Sequence, residues 1–264
     1  MRIVSVNAWG GAMYDALISW LPAVDADIVC LQEVTRTPHN SGWATFADGE
    51  RTLPQRLNLF DDVSDVLVGH RPHFVVNDSG PVVDADGLRW RQDFGIATWI
   101  REEFPVVGLD ARFVHAQFVD HPEWAVEDRP RAALAAAVRD REVGRTVSVI
   151  QVHGLRDPAG KHDTAARKDQ ARRLAEVVEQ VRAASDITVA CGDLNLLPTS
   201  ETFEVLREVG MVDLVGDTDT RTSRYTKPIR HASYLLVSDP SAVRHFEVVS
   251  EPEVSDHRAL LVEV

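Results

Sequence analysis

The sequence has little cysteine, no long apolar run and no internal repeat. Cys30 and Cys191 are its only cysteines, which is too few for a disulfide framework, and each follows an apolar run that predicts a buried thiol. The most apolar helix-like run, Ala132–Val138, is too short to span a bilayer. Met1–Asn7 lacks the apolar stretch and small-residue cleavage site of a signal peptide. We therefore expect a soluble, cytoplasmic protein, and the missing repeat excludes a solenoid.

Positive charge is also scarce. The 264 residues include 28 Lys and Arg against 41 Asp and Glu, which gives a net charge of −13. A net-negative surface repels polyphosphate and disfavours a general nucleic-acid binder, but a local basic groove can outweigh it. The excess of Asp and Glu is also compatible with a site that is rich in carboxylates. With 44% hydrophobic and 26% charged residues, the composition is that of a folded protein, and we expect one domain over residues 1–264.

Val- and Ile-rich runs bounded by Gly, Pro, Asp or Asn predict strands along the whole chain. The predicted strands are Arg2–Val6, Ile28–Gln32, Phe74–Val76, Ile96–Ile100, Ala133–Val138, Thr146–Val152, Ile187–Ala190, Tyr234–Val237 and Arg258–Val264. Apolar periodicity predicts helices over Asp15–Ala23, Leu53–Leu67, Ala165–Ala184 and Thr199–Val209. Because several neighbouring strands have no helix between them, mixed or antiparallel sheets with helices outside are favoured. The irregular segments Pro38–Glu50 and Asn77–Asp93 are expected to be long loops.

Polar side chains occur where the apolar runs end. Such residues are common in turns and caps, but five termini that offer oxygen and imidazole groups suggest convergence on one rim of a sheet. Carboxylate and amide oxygens suit Mg²⁺ or Mn²⁺, and neither cysteine has the spacing of a zinc site. A hard divalent ion with carboxylates and histidines fits water attack on a phosphorus ester. The terminal groups are Asn7, Glu33, His153, Asp193 with Asn195, and Asp256 with His257.

The order of these groups along the chain resembles the motif series of the endonuclease/exonuclease/phosphatase superfamily, which has the DNase I-like fold. The resemblance runs from residue 2 to 264 and rests on Leu31-Gln32-Glu33, Val152-His153, Gly192-Asp193-Leu194-Asn195 and Ser255-Asp256-His257, after Asn7. Weaker likenesses are Arg131-Ala132-Ala133-Leu134, Arg167 and Gln170 on the long helix, and Met211-Val212-Asp213-Leu214. The resemblance implies an α/β fold, a four-layer α-β-β-α sandwich of two mixed β-sheets with helices on the outside.

The resemblance also implies a metal site for Mg²⁺ or Mn²⁺. Glu33 would be the principal ligand, and Asn7 and Asp256 would help to hold the ion and its waters. The number of ions is not given by the sequence.

Four further residues receive catalytic roles from the same resemblance. Asp193 would orient or deprotonate the attacking water, or hold a second ion, and Asn195 would fix a phosphate oxygen through its amide hydrogens. His257 would stabilise charge on the phosphoryl oxygens, and His153 would assist on the phosphate or leaving-group side.

Ser233 departs from the family pattern. It lies where the family usually has an aspartate that pairs with the histidine of Ser-Asp-His, here His257. A hydroxyl can accept a hydrogen bond from imidazole but cannot offset imidazolium with a full charge. We therefore expect a lower pKa for His257 than in a typical member. His231 could compensate for the missing carboxylate at position 233, or it could be a surface histidine, which is the interpretation we prefer.

Candidate substrate-binding residues come mainly from the densest basic stretch of the chain, which lies just before Ser233. They are Arg131, Arg221, Arg224, Tyr225, Arg230 and His231.

The sequence thus predicts a metal-dependent hydrolase of a phosphodiester or phosphomonoester. Its charge favours a compact substrate, such as a lipid headgroup, a nucleotide or a sugar phosphate, over long nucleic acid. A DNA or RNA nuclease of the same fold is one alternative. A non-catalytic binding module with a degenerate site, motivated by Ser233, is the other. The substrate and the oligomeric state stay open.

Overall fold

The computed structural model describes residues 1–157 and 159–264, and within them the strands form two mixed β-sheets. The strands are β1 (Arg2–Asn7), β2 (Ile28–Arg36), β3 (Trp43–Ala47), β4 (Thr52–Arg56), β5 (His70–Asp84), β6 (Arg89–Arg101), β7 (Val106–His115), β8 (Val119–Asp120), β9 (Arg131–Asp140), β10 (Arg145–His153), β11 (Ile187–Asp193), β12 (Val212–Asp213), β13 (Ser233–Val237), β14 (His245–Val248) and β15 (Leu260–Glu263). The helices are α1 (Tyr14–Ala23), α2 (Leu59–Val66), α3 (Ala165–Arg182) and α4 (Glu201–Glu208).

Each sheet has a parallel pair near its centre. The first sheet runs β14-β15-β1-β2-β6-β5-β3-β4, with β8 beside β5, and β1 is parallel to β2. The second runs β12-β13-β11-β10-β9-β7, and β10 is parallel to β11. Asn7 is paired with Gln32 in the first sheet and His153 with Asp193 in the second. The carboxyl ends of both parallel pairs therefore carry residues predicted for the site.

Alternating side chains of β1 and β2 separate two apolar layers, as the two-residue period of a strand requires. Ile3 and Ile28 belong to the cluster that includes the second sheet, whereas Val4 and Val29 pack with α1 and α2. Leu174 of α3 joins the cluster of the second sheet. The prediction of a four-layer sandwich with helices on the outside is confirmed.

The predicted helix over Leu53–Leu67 is wrong in its first part. Thr52–Arg56 forms β4, and the helix begins at Leu59 after Asn58, whose side chain accepts a hydrogen bond from Asp61 N at 3.3 Å. Pro54 is disfavoured inside a helix but is tolerated in β4, which is the last strand at the edge of its sheet.

The predicted loops are also partly wrong. Asn77–Asp93 lies in the long hairpin of β5 and β6, and Pro38–Glu50 contains β3. Trp90 packs near the hairpin tip and donates its indole N–H to Asp84 Oδ2 at 2.7 Å. Of the helices described, none has both the length and the apolar character needed to cross a membrane.

Gly192 is the glycine of the Gly-Asp-Leu-Asn segment, and its conformation explains why no larger residue fits. Its φ is +140°, and a Cβ built on it would collide with the carbonyl oxygen of Val152 in the neighbouring strand. The close approach of β10 and β11 at this position brings His153 and Asp193 side by side.

We expect Gly192→Ala to lower the free energy of unfolding by about 3 kcal/mol, because backbone strain and a backbone clash add together. Gly216→Ala is the matched control: Gly216 has a φ of +59° but no atom within 4 Å of a built Cβ, so strain alone should cost about 1 kcal/mol. Urea unfolding measures both. Equal losses would contradict the close approach as the cause.

Candidate active site

A β-bulge presents the Glu33 carboxylate. The register between β2 and β6 shifts between Gln32 and Val34, so Glu33 has no partner in the ladder. Its φ is +55°, an uncommon backbone conformation for a residue other than glycine. The bulge turns the side chain out of the sheet, and it lines a cavity at the ends of the strands.

Asn7 links the two sheets through its side-chain amide. Its Nδ2 donates to Glu33 Oε1 at 3.1 Å and to Asp193 Oδ2 at 2.9 Å, whereas its Oδ1 accepts from Trp9 N at 2.9 Å. Because the Trp9 N–H can only donate, it sets this orientation of the amide. Asn7 therefore orients two carboxylates in this structure, and its role in holding the ion and its waters stays a prediction.

Asp193 lies at the centre of the polar cluster, almost fully buried. Its Oδ2 is 3.7 Å from His153 Nε2 and 3.4 Å from His257 Nε2. Its Oδ1 accepts from the backbone N of Asn195 at 3.0 Å, and Asn195 has a φ of +55°, a conformation that asparagine tolerates. The carboxylate is therefore held by contacts from both sheets and from its own turn.

Both site histidines are buried beside positive charge. Burial lowers the pKa of His153 well below its usual value, and Arg131 lowers it further. Burial also lowers the pKa of His257, and Arg221 adds to the effect. His257 Nδ1 lies 2.9 Å from the Ser233 hydroxyl, so the predicted pairing of these two residues is present and carries no carboxylate.

Asp256 pairs with Arg221, whose Nη1 lies 2.7 Å from its Oδ2. Burial raises the pKa of the Asp256 carboxyl to about 6, the charges of Glu33 and Asp193 raise it as well, and Arg221 opposes them. The three carboxylates thus repel one another at the cavity floor. A cation bound there would relieve this repulsion.

The chemistry of these donors fits a hard divalent ion. Among the described residues, no group of three or more His, Cys, Asp or Glu is arranged to hold a metal by itself. Mg²⁺ usually needs only one or two carboxylates, because waters and substrate phosphate oxygens complete its shell. Glu33 and Asp256 line the cavity with side chains that are 25% and 13% exposed, and they meet that requirement.

The cavity has a volume of about 540 Å³ and is richer in Lys and Arg than in Asp and Glu. Arg131 is buried against it, and burial lowers the pKa of its guanidinium to about 10. Within the described part of the chain, its Nε and Nη1 atoms have no hydrogen-bond partner. The predicted residues that line the cavity are Glu33, Arg131, His153, Asp193, Asn195, Arg221, Arg224, Tyr225, Asp256 and His257.

The residues that line the cavity do not include Arg230 or His231, and contact of these two residues with substrate stays a prediction. Arg230 donates to Asp219 Oδ2 at 2.6 Å and to the carbonyl oxygens of Arg221, Thr222 and Tyr225, so it stabilises their loop. The His231 ring lies 3.3 Å from the Thr218 carbonyl oxygen. The preferred interpretation of His231 is a surface histidine, and the residue is partly exposed.

Sequence reasoning missed several basic and aromatic wall residues. Arg129 makes a bidentate pair with Asp78, at 2.6 and 2.9 Å, and Asp78 also lies 3.1 Å from His121 Nε2. The Arg129 guanidinium lies 4.5 Å from the centroid of Phe94. No strand-end signal marks such residues, and only the short separation of Arg129 from Arg131 could have drawn attention to one of them. The missed wall residues are Trp9, Phe46, Arg51, Phe94, Arg129, Arg156 and Lys161.

Comparison with known proteins supports the fold. The family model described as "Endonuclease/Exonuclease/phosphatase family" matches residues 4–257. A search of curated proteins gives no match.

Solved structures with the same fold differ in what they act on or bind. A mannosyl-6-phosphatase of Bacteroides thetaiotaomicron is 16% identical with a TM-score of 0.70, over 100% of this chain and 98% of its own. The human Nocturnin catalytic domain with a bound sulfate anion is 18% identical with a TM-score of 0.64, over 99% and 93%. D. rerio TDP2 with a single-stranded DNA product is 15% identical with a TM-score of 0.62, over 99% and 97%. At these identities the likeness shows the fold alone.

Proposed function

Because the chain belongs to the endonuclease/exonuclease/phosphatase family, we propose that it is a divalent-metal-dependent phosphoesterase that hydrolyses its substrate by in-line attack of water. The observation that carries this proposal is the meeting of Glu33, Asp193 and Asp256 with His153 and His257 at one cavity floor. Because these residues come from both sheets, we also propose that residues 1–264 act as one domain.

Glu33 and Asp256 would hold Mg²⁺ or Mn²⁺. When bound, such an ion offsets negative charge on a phosphoryl oxygen and polarises it for attack. Asn7 contributes by holding the Glu33 carboxylate through its amide nitrogen.

Asp193 would orient the attacking water. Its Oδ2 already has the Asn7 amide at 2.9 Å and the two histidine Nε2 atoms at 3.4 and 3.7 Å, so the carboxylate has little freedom to turn. The histidines would donate hydrogen bonds toward the phosphate, His257 to its oxygens and His153 on the leaving-group side. Asn195 would contact a phosphate oxygen from the same wall.

Arg131 is the best candidate for a direct phosphate contact among the predicted binding residues. Its guanidinium is buried at the cavity with hydrogen-bond donors that have no partner among the described residues. Such donors are costly to leave unpaired, and a phosphate oxygen would satisfy them. Arg221 is held by Asp256 and lies 4.0 Å from the centroid of the Tyr225 ring, whereas Arg224 is exposed.

We expect Glu33→Ala and Asp193→Ala each to lower kcat/KM by about a hundredfold or more, because each removes charge that the transition state needs. The assay follows hydrolysis of bis(p-nitrophenyl) phosphate and p-nitrophenyl phosphate in Mg²⁺ or Mn²⁺. Glu123→Ala is the control, since Glu123 is exposed and pairs with Arg89 away from the floor. Retained activity in both site variants would refute the assignment.

The cavity favours a compact phosphate ester. Its walls enclose a volume of about 540 Å³, which is in the range of small-molecule sites, and the chain carries a net charge of −13. The second candidate is a nuclease, which the basic lining and the single-stranded DNA product bound to D. rerio TDP2 favour.

Salt dependence separates these two substrates. A long polyanion bound through several cations loses affinity steeply as salt rises, with a slope of about −0.7 per phosphate contact for single strands. We expect weak, nearly salt-independent binding of a DNA or RNA oligonucleotide, measured by fluorescence anisotropy, and turnover of a nucleotide, sugar phosphate or lipid headgroup in a substrate screen. Tight binding with a steep slope would favour the nuclease.

Ser233 allows a test of the third reading, a binding module without turnover. The Ser233 hydroxyl lies 2.9 Å from His257 Nδ1. We expect Ser233→Asp to increase the rate on the p-nitrophenyl esters, because a carboxylate in its place would stabilise the protonated form of His257. Ser233→Ala is the control that removes the hydroxyl without adding charge. If neither the natural protein nor Ser233→Asp shows turnover while a phosphate ligand still binds, the binding module is the better description.

A further inference from the structure

Lys161 is a lysine in the cavity wall that has no part in the roles proposed above. It lies on the segment 154–164, which connects β10, the strand that ends in His153, with the start of α3. The chain has only two other lysines, Lys168 and Lys227. Lys161 is partly buried, and it lines the same cavity as Asp193 and His257.

The backbone that carries Lys161 is held by a buried arginine. The Arg167 guanidinium of α3 donates to the carbonyl oxygens of Gly160 at 2.9 Å and His162 at 2.6 Å, which flank Lys161 in sequence. It also lies 3.3 Å from the carbonyl oxygen of Leu155. Arg167 is only 1% exposed, so the donor side of these contacts is buried. A side chain on such a supported segment is positioned before a ligand arrives.

The Lys161 ammonium keeps donors available. Its Nζ donates to the carbonyl oxygen of His231, and an ammonium has three hydrogens to donate. Lys168 pairs with Glu201 at 2.7 Å, whereas no ion pair with an N–O separation up to 4.0 Å includes Lys161 among the described residues. A partly buried ammonium without a carboxylate partner is costly, and a bound anion would offset that cost.

Two other cations of the cavity are already paired with protein carboxylates. Arg221 pairs with Asp256, and Arg129 pairs with Asp78. Burial lowers the pKa of Lys161 to about 8, and the charge of Asp193 opposes that effect. At neutral pH the side chain is therefore mostly protonated. It supplies a positive charge that is not paired with a carboxylate among the described residues.

We propose that the Lys161 ammonium contacts a non-bridging oxygen of the phosphate group that is hydrolysed and offsets the negative charge on it. This inference rests on the proposed phosphoesterase function. Lys161 keeps its proton throughout. It would act together with Arg131, which lies at the start of β9, whereas Lys161 lies in the connection between β10 and α3.

A purely structural role is the alternative, in which Lys161 only ties its segment to the His231 carbonyl. Two substitutions separate the roles. Lys161→Gln keeps a donor for that carbonyl oxygen and removes the charge, whereas Lys161→Arg keeps the charge. Lys168→Met is the matched control, because it removes a lysine seven residues away that pairs with an exposed glutamate.

The first measurement compares kcat and KM of these variants on the p-nitrophenyl esters with Mg²⁺. Lys161→Gln should lower kcat by about a hundredfold, the usual effect of removing one donor aimed at developing charge, whereas Lys161→Arg should stay within about tenfold and Lys168→Met should equal the natural protein. Thermal unfolding should be the same for Gln and Arg. Wild-type kcat in Lys161→Gln would overturn the proposal.

The second measurement is the affinity for inorganic phosphate by calorimetry, with Mg²⁺ present, and it requires no turnover. Lys161→Gln should weaken phosphate binding by about tenfold or more, and Lys161→Arg should not. Unchanged affinity in Lys161→Gln, or no phosphate binding by the natural protein, would overturn the proposal. If the natural protein hydrolyses neither ester, the proposed function fails, and phosphate affinity then decides about Lys161 on its own.

Discussion

A hydrogen bond between two buried glutamines joins the sheets beneath the site. Gln32 Nε2 of β2 donates to Gln151 Oε1 of β10 at 3.1 Å, and Gln151 Nε2 donates to Thr98 Oγ1 at 2.6 Å. Both glutamines are fully buried, so a shift of one sheet over the other would leave amide groups unpaired at considerable cost. Glu33 follows the first glutamine directly, and His153 lies two residues after the second. The spacing of the active groups thus depends on this amide contact.

The balance of charged side chains in the cavity is opposite in sign to the net charge of the whole chain. The protein carries a net charge of −13, yet its cavity has more basic than acidic side chains. Three of its acidic groups, Glu33, Asp193 and Asp256, lie together at the floor, and Arg and Lys side chains line much of the rest. A small anion that enters meets attraction from the walls, whereas a long polyanion also meets the repulsive outer surface.

The sequence predicted the inner strands and their terminal groups well, because a buried strand ending in Asp193 or His153 has a local signature. It could not predict the bulge at Glu33, since a bulge depends on pairing with β6 rather than on the residue itself. Lys161 and Arg129 were missed for a similar reason: their positions are set by partners far along the chain or in another segment. The error at Leu53–Leu67 was avoidable, because Pro54 and the Asn58 cap mark a later helix start.

The pairing of β1 between β2 and β15 has a consequence for biosynthesis. Ser255 donates its hydroxyl to the carbonyl oxygen of Asn7 at 2.6 Å, across 248 residues of sequence, and Asp256 and His257 follow it. A ribosome-bound chain therefore cannot assemble the site until Ser255, Asp256 and His257 have left the exit tunnel. During translation the edge of β1 that later pairs with β15 is open, and the nascent chain must be kept from pairing there with another strand.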